Sequence, residues 1–180
     1  MKIRNSSKID VRDIIVDHYK TLANANSKKA DDSDIIIFFI LPAVIATALL
    51  LLGANLEEGM IGNVISGLSI FVGLLLNVLV LIFDLVKKDS KSSIKNELLK
   101  QSLANISFTI LLSLFCIITS IVTLVKYDII KLSSMWLTYF LLMEFVACLL
   151  MIIKRMYRLL MNEFKEITST ANTNVKEEIM

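Results

Sequence analysis

Four uninterrupted apolar blocks constrain this chain more than any other feature: residues 35–54, 64–83, 104–125 and 132–153. Each is about 20 residues long, enough for a helix to cross the roughly 30 Å of bilayer hydrocarbon. Soluble domains average about 45–50% apolar residues. This chain has 56%, and the excess is gathered into the blocks instead of being spread in an amphipathic pattern. The predicted fold is therefore all-α. It is a polytopic membrane protein with an N-terminal segment (1–34), a four-helix transmembrane domain (35–153), and a helical extension and tail (154–180). The first block starts at Ile35, after a long charged segment, and is too long for the apolar region of a cleavable signal.

Orientation follows from the basic residues between the blocks. The N-terminal segment carries seven Lys and Arg, the middle loop five and the C-terminal segment five. The loop around Glu57 and Glu58 carries none, and the third loop only Lys126 and Lys131. Both termini in the cytoplasm places 17 basic residues inside and two outside, which the positive-inside rule strongly favours. Both external loops are then very short.

Two of the blocks carry their small and polar residues on one side. In the second, Asn63, Ser66, Ser69, Gly73, Asn77 and Asp84 fall within a sector of roughly 120°. In the third, Asn105, Thr109, Ser113, Cys116, Ser120 and Thr123 fall within roughly 80°. Lipid tails are as apolar as leucine, so helices in a membrane associate through small residues and interhelical hydrogen bonds. Both stripes are read as contact faces, or as the lining of a polar path. Gly62, Gly67 and Gly73 are read as packing glycines, and both cysteines, Cys116 and Cys148, as small packing residues within spans.

The fourth block holds the residue most costly in lipid. Glu144 lies ten residues before Lys154, about 15 Å deep, near the bilayer midplane. A charged carboxylate there costs several kcal/mol, or it takes up a proton. Glu144 is expected to face the bundle interior, with Asn77, Ser113, Cys116 or a neighbouring copy as partner. Helix-pairing acid and ion or proton site both remain open as its role.

Outside the blocks, residues 9–22, 94–103 and 154–167 show helical periodicity. The first has Val11, Ile14, Ile15, His18, Tyr19 and Leu22 on its apolar side, with His18 either a core histidine or a pH sensor. The second and third are expected to continue spans three and four without a break. Ile14, Tyr19, Leu99, Leu159, Leu160 and Phe164 are the candidate contacts for a cytoplasmic protein partner. Residues 24–34 read as a polar linker and 168–180 as a disordered tail. Pro42, the only proline, predicts a kink in the first span, whose surface is otherwise expected to face lipid.

No nucleophile–base pair, glycine-rich phosphate loop or metal-ligand cluster is visible, so neither an enzyme, a cofactor nor a metal is expected. Basic segments suit anionic lipid headgroups but are too interleaved with acids for nucleic acid.

The layout of a charged tail and four tightly spaced spans, with Phe83-Asp84-Leu85-Val86-Lys87-Lys88 and Ala104-Asn105-Ile106-Ser107-Phe108 flanking a basic middle loop, resembles the KwaA family, the membrane subunit of the Kiwa anti-phage system. The resemblance implies an oligomer in the bacterial inner membrane that detects phage and couples to a cytoplasmic, DNA-binding KwaB partner. The residues themselves lead to a non-enzymatic sensor or scaffold that self-associates through its spans and docks a soluble partner. The alternative is an ion channel or pore-forming effector lined by Glu144, Asn77 and the hydroxyl stripe.

Overall fold

A computed structural model describes residues 11–22, 36–88, 93–125 and 127–179. Among them helix is the only regular secondary structure. Helix α1 spans Arg12–Leu22. A single π-helical turn, Ile36–Ile40, leads directly into α2, Leu41–Leu51. Three long helices follow: α3, Glu58–Lys88, α4, Ser93–Val122, and α5, Asp128–Ile179. These three are long and apolar enough to cross a membrane; the π turn and α2 together form a shorter apolar helix, Ile36–Leu51. The predicted linker 24–34 lies outside the described residues.

Local chemistry explains where the first apolar helix departs from the block read in the sequence. Pro42 sits at the second position of α2, directly after the π turn, so its missing N–H removes a helical bond where the two segments meet. The predicted kink site is thus the junction between π and α geometry. Helix α2 then stops early, at a Schellman cap. Ala54 N–H donates to the Leu49 carbonyl and Gly53 N–H to the Leu50 carbonyl, both at 3.0 Å. Gly53 takes the left-handed conformation, φ 75°, that this cap requires.

The extensions are continuous with the long apolar helices. Helix α4 runs from Ser93 into the third block, and α5 continues through residues 154–167. It does not stop there: the tail expected to be disordered is helical to Ile179. Residues 168–179 hold neither glycine nor proline, so nothing local ends the helix.

Helices α4 and α5 form the central antiparallel pair. Helix α3 flanks α4, α2 flanks α5, and α1 lies against α4 near the end marked by Lys154 and Arg155, called here the basic end. The main core joins Leu68, Leu75 and Ile82 of α3 to Ile106 and Leu112 of α4 and Phe145 and Ile152 of α5. A second cluster at the opposite end gathers Ala46, Leu56, Ile61, Met135 and Tyr139. Only 17% of the apolar window of α3 is buried, against 44% for α4 and 39% for α5, so α3 is the peripheral member.

Candidate functional site

Three polar features are built on this frame: an internal seam, a docking point for α1, and an outward face on α3.

The seam is the α4 stripe. Asn105, Thr109, Ser113, Cys116, Ser120 and Thr123 are all buried, as the sequence pattern implies for a contact face. Small residues there let the α5 backbone approach closely. The hydroxyls are satisfied within their own helix: Thr109 donates to the Asn105 carbonyl at 2.7 Å, Ser113 to Ile110 at 2.7 Å, and Ser120 to Cys116 at 2.7 Å. Across the seam, Cys116 Sγ donates weakly to the Thr138 carbonyl at 3.8 Å and Thr138 Oγ1 to Thr119 Oγ1 at 3.2 Å. Cys148 lies beside Thr109. These pairings fix the antiparallel register and put Glu144 level with Ser113. Glu144 is buried, 5% exposed, so it faces protein. Its carboxyl lies in the electrostatic neighbourhood of Tyr19 and Cys148.

The second feature ties α1 to the basic end. The His18 ring stacks on Phe108, centroids 3.8 Å apart and planes within 7°, with the edge of Phe38 at 6.5 Å. His18 Nδ1 is 2.9 Å from Asn105 Oδ1, which places the proton of a neutral imidazole on Nδ1. Thr21 Oγ1 lies 2.7 Å from both Asn105 Oδ1 and the His18 carbonyl oxygen, two acceptors for one proton. Arg155 spans the junction: Nη2 donates to the Thr21 carbonyl at 2.9 Å and Nη1 to Gln101 Oε1 at 3.1 Å. Asn105 Nδ2 is buried and has no hydrogen-bond partner among the described residues. Burial holds His18 down at about 4, with the Arg155 charge acting in the same direction and the Asn105 bond opposing it. His18 is thus a core histidine at neutral pH, and α1 is bolted on by groups that pair only when it is seated.

The third feature overturns an expectation. The polar stripe of α3 does not pack against the rest of the chain. The buried edge of α3 is Ile61, Leu68, Leu75 and Ile82, spaced seven residues apart. Roughly 180° away on the helix, Asn63, Ser66, Ser69, Gly73, Asn77 and Asp84 are exposed. A Cβ added at Gly59, Gly62, Gly67 or Gly73 would meet nothing within 4 Å, so these glycines permit no close approach within the chain. Asn77 is therefore not a partner of Glu144. Sequence spacing identifies a face but not the neighbour that covers it, and here leucine and isoleucine won the intramolecular contact.

A pattern missed in the sequence becomes visible on that outer face. Gly59, Ser66, Gly73 and Val80 recur every seven residues, and so do Asn63, Ile70, Asn77 and Asp84. All eight are exposed. Together they keep a 3-4 alternation over more than three heptads, the period of helices that coil left-handedly on one another. Asn63 and Asp84 are 21 residues apart, about 31 Å along the axis. That length matches the thickness of bilayer hydrocarbon, and Asn77 falls between its two ends.

The candidate partner-binding residues divide. Leu160 and Phe164 are exposed at 54% and 62%, and Tyr19 is exposed as well. Ile14 is half-buried against the core. Leu99 and Leu159 are buried, which removes them as docking contacts: the seated α1 and the α4–α5 pair cover them. Tyr157 and Met161, not singled out in the sequence, join Leu160 and Phe164 on the exposed surface of the α5 extension.

The fold and these surfaces define a helical bundle of membrane-spanning dimensions with one lipid-length helix whose polar side its own chain leaves uncovered. Compared with protein families, curated proteins and solved structures, the chain matches none.

Proposed function

We propose that this chain is a non-enzymatic, membrane-embedded scaffold subunit that assembles with copies of itself through the outer face of α3. In this reading the π turn with α2 is the first of four spans and both termini are cytoplasmic, so the basic end faces the cytoplasm. The distribution of 17 basic residues against two supports that orientation. The observation that carries the assembly is the heptad-spaced small and polar line on α3, turned away from its own bundle. Amides and hydroxyls left against acyl chains are costly, and a second α3 offers the same groups in the same register. The exposed Tyr157, Leu160, Met161 and Phe164 then form a cytoplasmic surface for a soluble partner. The resemblance to KwaA extends the reading to a phage-sensing subunit of the bacterial inner membrane with a KwaB-like partner.

Asn77→Leu tests the assembly. Native mass spectrometry of the full chain released from mild detergent is expected to show oligomers in the parent. Association weakens about tenfold in the variant, the scale of losing an interhelical amide pair. A parent that is monomeric, or a variant with an unchanged distribution, overturns it. A second reading rests on the same face: in a ring of copies, Asn63, Asn77 and Asp84 would line an aqueous path. Ion flux in proteoliposomes that Asn77→Leu abolishes would favour that reading.

A further inference from the structure

A groove runs down the bundle at the basic end, enclosed by α1, the π turn with α2, and the facing parts of α4 and α5. Its volume is about 940 Å³, at the upper end of the range for small-molecule sites. Its mouth carries Lys154, Arg155 and Arg158, with Lys20 paired to Asp17 at 2.9 Å, against one carboxylate among the described lining residues, Glu97. Lys154 and Arg158 are exposed, whereas Arg155 is held in place by Thr21 and Gln101. Below this rim the lining turns apolar. Ile37, Leu41, Val146 and Leu150 form an exposed wall, and Met143 lies deepest on α5.

The groove has the length as well as the polarity of a lipid. From Lys154 to Met143 is 11 residues, about 16 Å of helix. Half of the roughly 30 Å hydrocarbon slab is about 15 Å, so the apolar part runs one leaflet deep with the cations at headgroup level. Cation clusters between helices at a membrane face suit anionic headgroups. The seated α1 supplies one wall, so the site exists only when α1 is docked.

We infer that this groove binds one anionic phospholipid of the leaflet at the basic end, its phosphate on Lys154, Arg155 and Arg158 and an acyl chain along Leu41, Val146 and Leu150. The inference rests on the reading of α5 as a membrane span but is independent of assembly through α3. The excess of cations at the mouth selects negative headgroups, and the apolar wall distinguishes a lipid from a soluble phosphate.

The test uses the full chain in mild detergent, offered phosphatidylglycerol or phosphatidylcholine with identical acyl chains. Native mass spectrometry is expected to show one phosphatidylglycerol retained per protomer. K154Q/R158Q lowers that retention about thirtyfold, the effect of two headgroup cations, and leaves phosphatidylcholine retention unchanged. In a second measurement, Leu150→Trp fluorescence is expected to be quenched more by phosphatidylglycerol with brominated chains than by the brominated phosphatidylcholine. K154Q/R158Q removes the difference. Equal retention of the two lipids, retention unaffected by K154Q/R158Q, or headgroup-independent quenching overturns the proposal. A protein that purifies without detergent or lipid overturns the membrane reading itself, an outcome distinct from losing headgroup preference alone.

Discussion

Acidification is expected to release α1. His18 is 2% exposed, stacked on Phe108 and bonded to Asn105. Seated, its proton affinity falls from the ordinary 6.5 to about 4, because burial penalises the cation and Arg155 repels it. Undocked, His18 returns to the ordinary value, so the undocked state binds more protons between these limits. Docking is therefore fully favoured above pH 6.5, weakens as pH falls through that window, and reaches its floor below about 4. At 1.36 kcal/mol per tenfold change in proton affinity, the full loss is about 3 kcal/mol, and at pH 5 about 2 kcal/mol. The assay is the mobility of a spin label at Val16→Cys, an exposed α1 position, in a background with Cys116 and Cys148 replaced by alanine. The label is expected to be immobile at pH 7.5 and increasingly mobile from pH 6 to 4.5. His18→Phe, which keeps the stack and removes the titration, makes mobility independent of pH. Constant mobility across this range in the parent, or the same acid release in His18→Phe, refutes the reasoning.

Other consequences follow from the same contacts. Arg155→Met removes donors to the Thr21 carbonyl and Gln101, so it is expected to weaken α1 docking by about 1–3 kcal/mol and mobilise the Val16 label at neutral pH. Gly53→Ala forces a side chain into a left-handed cap and lowers stability by about 1–2 kcal/mol in a detergent melt. Leu159→Ala opens a cavity and costs about 2–5 kcal/mol. Phe164→Ala, on the exposed surface of the α5 extension, leaves the melt unchanged; equal melting losses in the two variants would refute that division.

What the sequence made legible is what local period encodes. Block length gave the three long helices, and the α4 stripe gave a buried seam residue by residue. Glu144 is buried, the inward orientation expected of a carboxyl within an apolar block. The α3 stripe looked the same in sequence, yet it faces out, because a helix with two seven-residue lines does not declare which one its own chain will use. Leu99 and Leu159 looked available because the contacts that cover them are long-range. His18 with Asn105, and Arg155 with Thr21, join positions 87 and 134 residues apart, beyond any local pattern. The first apolar block was overread at its end, where Gly53 is a cap within an apolar run and not part of a helix. The groove at the basic end was invisible for the same reason as the α1 contacts: four separate segments line it.

The most direct test is a cysteine scan of α3 from Gly59 to Asp84, in the cysteine-free background and in native membranes, with oxidative cross-linking between copies. Two lines of strong cross-linking are expected, at 59, 66, 73 and 80 and at 63, 70, 77 and 84, with silence at 61, 68, 75 and 82. Cross-linking strongest at 61, 68, 75 and 82, or none anywhere on α3, would contradict self-assembly through the outward face.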